Sequence, residues 1–141
     1  MLRTRLARIL RVPTMRALRG ATTVPRDDAE SIYDAVAELI AALCRDNALV
    51  SDDVISALFT VTPDLVAAFP AEAARRGGWQ DVPLLCATEI AVPGSLPCCV
   101  RVLLHVTRCW DVPPRHVYLH GARVLRPDLA DRAECDPPFP G

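Results

Sequence analysis

The sequence predicts a single α/β domain built from one mixed five-stranded β-sheet, one long helix and short helices. Three observations carry this. Apolar residues recur at helical spacing in only one long run, through Ile32, Val36, Leu39, Ile40 and Leu43. Five shorter runs rich in apolar and β-branched residues are bounded by Pro, Gly or Asp, as strands are. So little helix rules against a doubly wound fold, in which nearly every strand is followed by one. At 141 residues, 51% hydrophobic and 23% charged, the chain is long enough for one core and too apolar for disorder.

Residues 15–24 (MRALRGATTV) read as the first strand, ending in threonines. Pro25, Asp27 and Asp28 interrupt it, and Asp27 followed by Glu30 resembles a capping box opening the long helix, which runs to about Asn47. Residues 51–53 start a new element, and residues 54–62 (VISALFTVT) form the second strand, stopped by Pro63. Residues 69–76 (FPAEAARR) suit a short helix with Pro70 at its first position and Gly77-Gly78 at its end. Residues 83–92 (PLLCATEIAV) form the third strand and residues 98–109 (CCVRVLLHVTRC) the fourth. In the fourth, Val100, Val102 and Leu104 lie on one side, and Arg101, Leu103 and His105 on the other. Residues 115–125 (RHVYLHGARVL) form the fifth, with Gly121 as a bulge. One helix covers only one face of such a sheet, so association with further copies is the economical way to bury the second.

All 16 cationic side chains are arginine, set against 17 acids for a net charge of −1. Seven arginines and no acid fall in residues 1–26, so the rest of the chain is acidic, which argues against a nucleic-acid surface. No stretch has the roughly 20 apolar residues needed to span a membrane. The Arg-rich residues 1–14 fit a transit peptide or membrane-surface helix, but the preferred reading is an extension ahead of a natural start at Met15. Residues 130–141, with Pro137, Pro138 and Pro140, read as a mobile tail. Six cysteines without a CxxC pair or secretory signal indicate reduced thiols in a cytoplasmic protein. His116 and His120 share a strand face but no acidic or Cys partner accompanies them, so no metal site is expected.

Nucleophile elbows, P-loops, dinucleotide fingerprints and zinc-protease motifs are all absent. What stands out is arginine within strands: Arg19 in the first, Arg101 in the fourth, Arg123 and Arg126 at the end of the fifth, with Glu89 inside the third. One such arginine is ordinarily a solvated side chain. Several on one sheet suggest a pocket for an anion, because a guanidinium grips a carboxylate through two parallel hydrogen bonds.

These residues resemble a known family. LRGATTV (18–24), TPDLVAAFPAEAAR (62–75), GWQDVPLLCATEI (78–90), CVRVLLHV around Arg101 and HVYLHGARVLRPDL (116–129) are similar, in the same order, to the monofunctional AroH class of chorismate mutases. The resemblance spans residues 15–129. It implies a homotrimeric pseudo-α/β-barrel with active sites at subunit interfaces, and cofactor-free conversion of chorismate to prephenate by a pericyclic [3,3] rearrangement. By resemblance, Arg101 faces the ether oxygen of the breaking bond. Arg19 and Tyr118 hold carboxylates, and Glu89 and Cys86 meet the ring hydroxyl. Phe69, Ala71 and Arg75 arrive from a neighbouring subunit, with Leu125 and Arg126 near the mouth. Glu72 stands where the family often has a basic residue. Cys86 and Glu89 are three apart, which a regular strand sends to opposite faces, so either the chain turns between them or Cys86 acts through its main chain. The alternative is a non-catalytic trimeric module that binds small carboxylates.

Overall fold

The computed structural model describes residues 11–128. Its strands are β1 (Thr14–Thr23), β2 (Val54–Val61), β3 (Leu84–Thr88), β4 (Cys99–Arg108) and β5 (Val117–Tyr118). Its α-helices are α1 (Ala29–Asn47) and α2 (Pro70–Arg76), and two 3₁₀ turns span Ser51–Asp53 and His120–Leu125. The sheet order is β3-β2-β4-β1-β5. β4 runs antiparallel to both β1 and β2, while β3 is parallel to β2 and β5 to β1. The expected mixed five-stranded sheet with one long helix is therefore present.

Strand alternation divides the sheet into two unlike faces. Leu18, Gly20 and Thr22 of β1 lie opposite Leu104, Val102 and Val100 of β4, and Ala57, Phe59 and Val61 of β2 continue the same rows. This face takes α1, whose Ile32, Val36, Leu39 and Leu43 are fully buried. Gly20 sets how closely the helix lies: a Cβ there would come within 2.9 Å of Leu43 Cδ1 and 3.1 Å of Leu39 Cδ1. α2 joins the same layer. Its Ala71, Ala73 and Ala74 are buried in the main core together with Trp79 and Phe59. Arg76 lies over the Tyr33 ring of α1, 4.3 Å from its centroid.

Local chemistry departs from expectation at four points. The helix cap is Asp28, not Asp27: the Ser31 N–H donates to Asp28 Oδ1 at 2.7 Å and the Ser31 hydroxyl to Oδ2 at 3.0 Å, so no Asp27–Glu30 capping box forms. Asp27 instead accepts from the main-chain N–H groups of Val66 and Ala67, both at 3.0 Å, tying two loops together. β3 stops at Thr88, short of the expected Val92, because its partner β2 ends at Val61. The fifth strand is only two residues long, followed by a 3₁₀ turn in place of a bulge. The chain leaves the sheet at His120, whose φ is 50°, and the Gly121 N–H donates to Thr23 Oγ1 at 3.1 Å. A Cβ on Gly121 would lie 2.9 Å from Thr23 Cγ2, so the close approach needs glycine.

Asn47 joins the end of α1 to the start of β5. Its buried amide donates to Leu43 O and Arg115 O, both at 2.9 Å, and its Oδ1 accepts from the Arg115 N–H at 2.7 Å. Arg108 closes the helix end by donating to the carbonyls of Asn47 and Ala48. Asn47→Ala strands these partners and is expected to cost about 3 kcal/mol. Urea unfolding checks this; a loss below about 1 kcal/mol would contradict the bridge's weight.

Candidate active site

The face turned away from α1 carries the chemistry. One row of cross-strand partners crosses all five strands: Ala87, Thr60, Arg101, Ala21 and Tyr118. The next row is Leu85, Leu58, Leu103 and Arg19. The small Ala21 and Ala87 leave room above the first row, so Arg101 stands between low neighbours with Tyr118 two strands, or roughly 10 Å, away.

Glu89 reaches this face although it follows β3. Its N–H still donates to Val61 O at 2.8 Å, and its Oε1 accepts from the Thr60 hydroxyl at 2.5 Å. Arg101 Nε lies 3.6 Å from the same oxygen, with both side chains about three-quarters shielded, 28% and 27% exposed. Cys86 and Glu89 thus lie on opposite faces, as regular alternation requires. Cys86 pairs with Phe59 and packs against the main core, so its thiol faces the opposite layer and only its main chain borders the site side.

Arg101 Nε and the Tyr118 hydroxyl are both shielded from solvent and, among the described residues, lack a hydrogen-bond partner of ordinary geometry. Two shielded polar groups on one row without hydrogen bonds of ordinary geometry are costly unless something polar binds there. Beneath them Ala21, Cys99, Tyr118 and Ala122 form a second small core, with Leu96 and Leu125 packed against it. Burial pushes the Cys99 thiol up from its ordinary value, against the opposing pull of the Arg101 guanidinium, so this cysteine is a packed apolar group and not a nucleophile. Arg126 follows the 3₁₀ turn and pairs with Asp128 at 3.0 Å, which, with Tyr118 nearby, raises its already high pKa. Arg123 lies exposed in the turn itself and does not join the group.

Within one chain, the remaining sequence candidates stand elsewhere. Phe69, Ala71 and Arg75 belong to α2 and its cap, on the helix side of the sheet. Phe69 is 73% exposed, whereas the Ala71 side chain is buried in the core and has only its main chain to offer. Arg75 pairs with Glu72 at 3.2 Å and Arg76 pairs with the same carboxylate, which these two arginines hold below its usual range. Glu72 thus occupies the cation expected for a substrate. Of the two histidines singled out in the sequence, His120 lies beyond the strand and pairs with Glu38 at 3.0 Å, and His116 Nδ1 accepts from the Arg19 N–H at 3.0 Å. Among the described residues no cluster of His, Cys, Asp or Glu is arranged to hold a metal.

Thr60 is a site residue that sequence reasoning missed. Its position alternates with Leu58, but only the β2–β4 register places it beside Arg101.

Comparison with known proteins agrees with this architecture. The family model described as chorismate mutase type I matches residues 15–129. Chorismate mutase AroH of Bacillus subtilis (strain 168) is 45% identical over 120 residues, which covers 82% of this chain and 93% of that protein. Chorismate mutase AroH of Thermus thermophilus is 48% identical over 121 residues, covering 82% and 96%. The solved chorismate mutase from Clostridium thermocellum superposes with a TM-score of 0.73 at 48% identity, over 77% of this chain and 98% of that one. With a family match across most of its length and relatives at this identity, the chain belongs to the chorismate mutase type I family.

Proposed function

We propose that this chorismate mutase rearranges chorismate to prephenate on the open face of its sheet, with Arg101 as the principal catalytic group. The carrying observation is the row from Thr60 to Tyr118, in which the shielded Arg101 Nε and Tyr118 hydroxyl lack, among the described residues, a hydrogen-bond partner of ordinary geometry. The reaction breaks one C–O bond and forms one C–C bond within a single molecule, so it requires no nucleophile and no proton transfer. It requires a folded conformer and positive charge at the ether oxygen as that bond lengthens. Arg101 supplies the charge. Glu89, itself held by Thr60, orients the guanidinium and accepts from the ring hydroxyl. Arg19 and Tyr118 take carboxylates, Leu125 and Arg126 border the mouth, and Cys86 contributes through its main chain. A million-fold acceleration needs ~8 kcal/mol, of which one preorganised donor typically supplies ~3–4.

The active unit is a homotrimer in which Phe69, Ala71 and Arg75 of one subunit complete the open face of the next. Leu58, Leu103 and the 66%-exposed Leu85 support this, since they leave an apolar row beside Arg19 for another subunit to cover. Cytoplasmic placement belongs to the same proposal; the five cysteines among the described residues are unpaired, and none of the described helices is long and apolar enough to cross a membrane. We also assign residues 1–14 to an extension, 15–129 to the catalytic domain and 130–141 to a tail; the two ends lie outside or largely outside the described residues. The test is loss of chorismate absorbance on adding purified enzyme, with prephenate identified as product. Silence at micromolar enzyme would favour the carboxylate-binding module.

A further inference from the structure

His116 has no task in the site as assigned above, yet it touches that site's main chain. β5 pairs with β1 only at Gly20↔Val117 and Ala21↔Tyr118. The ladder therefore ends one residue short of Arg19, and the Arg19 N–H would lack a carbonyl. The His116 imidazole fills that place, accepting from the N–H through Nδ1 at 3.0 Å. The ring is anchored on both sides. Arg115 before it is bonded through its N–H and its carbonyl to Asn47 of α1, and Val117 after it is buried in the sheet.

We propose that His116 is a positioning residue for the rearrangement: its neutral imidazole holds the Arg19 main chain and so sets where the Arg19 guanidinium meets a substrate carboxylate. This rests on the assignment of Arg19 to the substrate.

Nδ1 accepts only when unprotonated, so the ring hydrogen sits on Nε2. The surroundings favour that form. Partial burial, then the charges of Arg126 and Arg19, hold His116 below its ordinary value of 6.5. The charged groups around it are Arg19 from β1, Arg115 next to it in sequence, and Arg126, whose charge is shared with Asp128. A lowered histidine pKa means that the folded state resists protonation. The bond is thus intact at neutral pH and lost as pH falls through the folded value, when a ring N–H would confront the Arg19 N–H.

Three full-length variants test this, each with a thermal melt. His116→Ala is expected to raise KM about tenfold while kcat changes less than about threefold. His116→Asn offers an acceptor that does not titrate. It is expected to return KM to within about threefold of wild type and to remove the fall in kcat/KM expected of wild type as pH drops through the lowered His116 value. An unchanged KM in folded His116→Ala, or an acid fall retained in His116→Asn, overturns the inference. If His116→Ala does not fold, the pH profile of His116→Asn decides alone. Arg19→Ala separates the two levels. If it raises KM and His116→Ala does not, only the role of His116 fails; if it leaves KM unchanged, the site assignment fails and the inference with it.

Discussion

Arg101→Ala is expected to lower turnover by at least about a hundredfold without unfolding the protein, and Arg101→Lys is expected not to restore it. Arg101 stands mid-row on the open face between Thr60 and Ala21, with its Nε shielded and 3.6 Å from Glu89. A group already desolvated and oriented pays little to meet developing negative charge, and that is where a donor contributes most. Alanine removes the charge. Lysine keeps it but presents one compact ammonium in place of a planar fork, so the Glu89 contact and the substrate contact cannot both be kept. Single-turnover kinetics with a matched melting curve checks this, and near-normal turnover in either folded variant removes Arg101 from the mechanism.

A mixture of Arg75→Ala and Arg101→Ala subunits is expected to recover activity that neither variant has alone. In one chain Arg75 sits on α2 in the helix layer, while Arg101 looks out from the opposite face. The buried core of Leu39, Leu43, Phe59 and Val102 lies between them, so the two arginines can serve one substrate, as proposed, only if they come from different copies. When the variants are unfolded together at equal amounts and refolded, random assembly gives about a quarter of the interfaces both arginines. Turnover near a quarter of wild type fits the interface site. A mixture no more active than the mean of its parents would place a complete site within one chain.

The long helix and the buried strands were legible because their signals are local and redundant: Ile32, Val36, Leu39 and Leu43 mark one helix face, and Val100, Val102 and Leu104 one strand face. The alternation in RHVYLHGARVL was equally regular but misleading. Its continuation as a strand is overridden by Thr23, almost a hundred residues earlier, which bonds the Gly121 N–H and draws the chain into a 3₁₀ turn. The spacing to Glu30 pointed to Asp27 as the cap, but the loop carrying Val66 and Ala67 claims Asp27 and Asp28 caps the helix instead. Within the site, Arg19, Glu89 and Arg101 announced themselves as charged groups within strands, while Tyr118 was marked only by the family resemblance. Thr60 and His116 did not, because their importance comes from register and from a contact spanning 97 positions.

The strand order also constrains how the chain is made. β1 emerges first yet sits between β4 and β5, and β2 has β4 on one side. A nascent chain that has not reached Cys99 therefore has a finished α1 segment but two long strands with open edges. Such edges pair readily with other chains, and the sheet closes only after the C-terminal third has been added. Between those moments β1 and β2 both present main-chain groups that only β4 will pair.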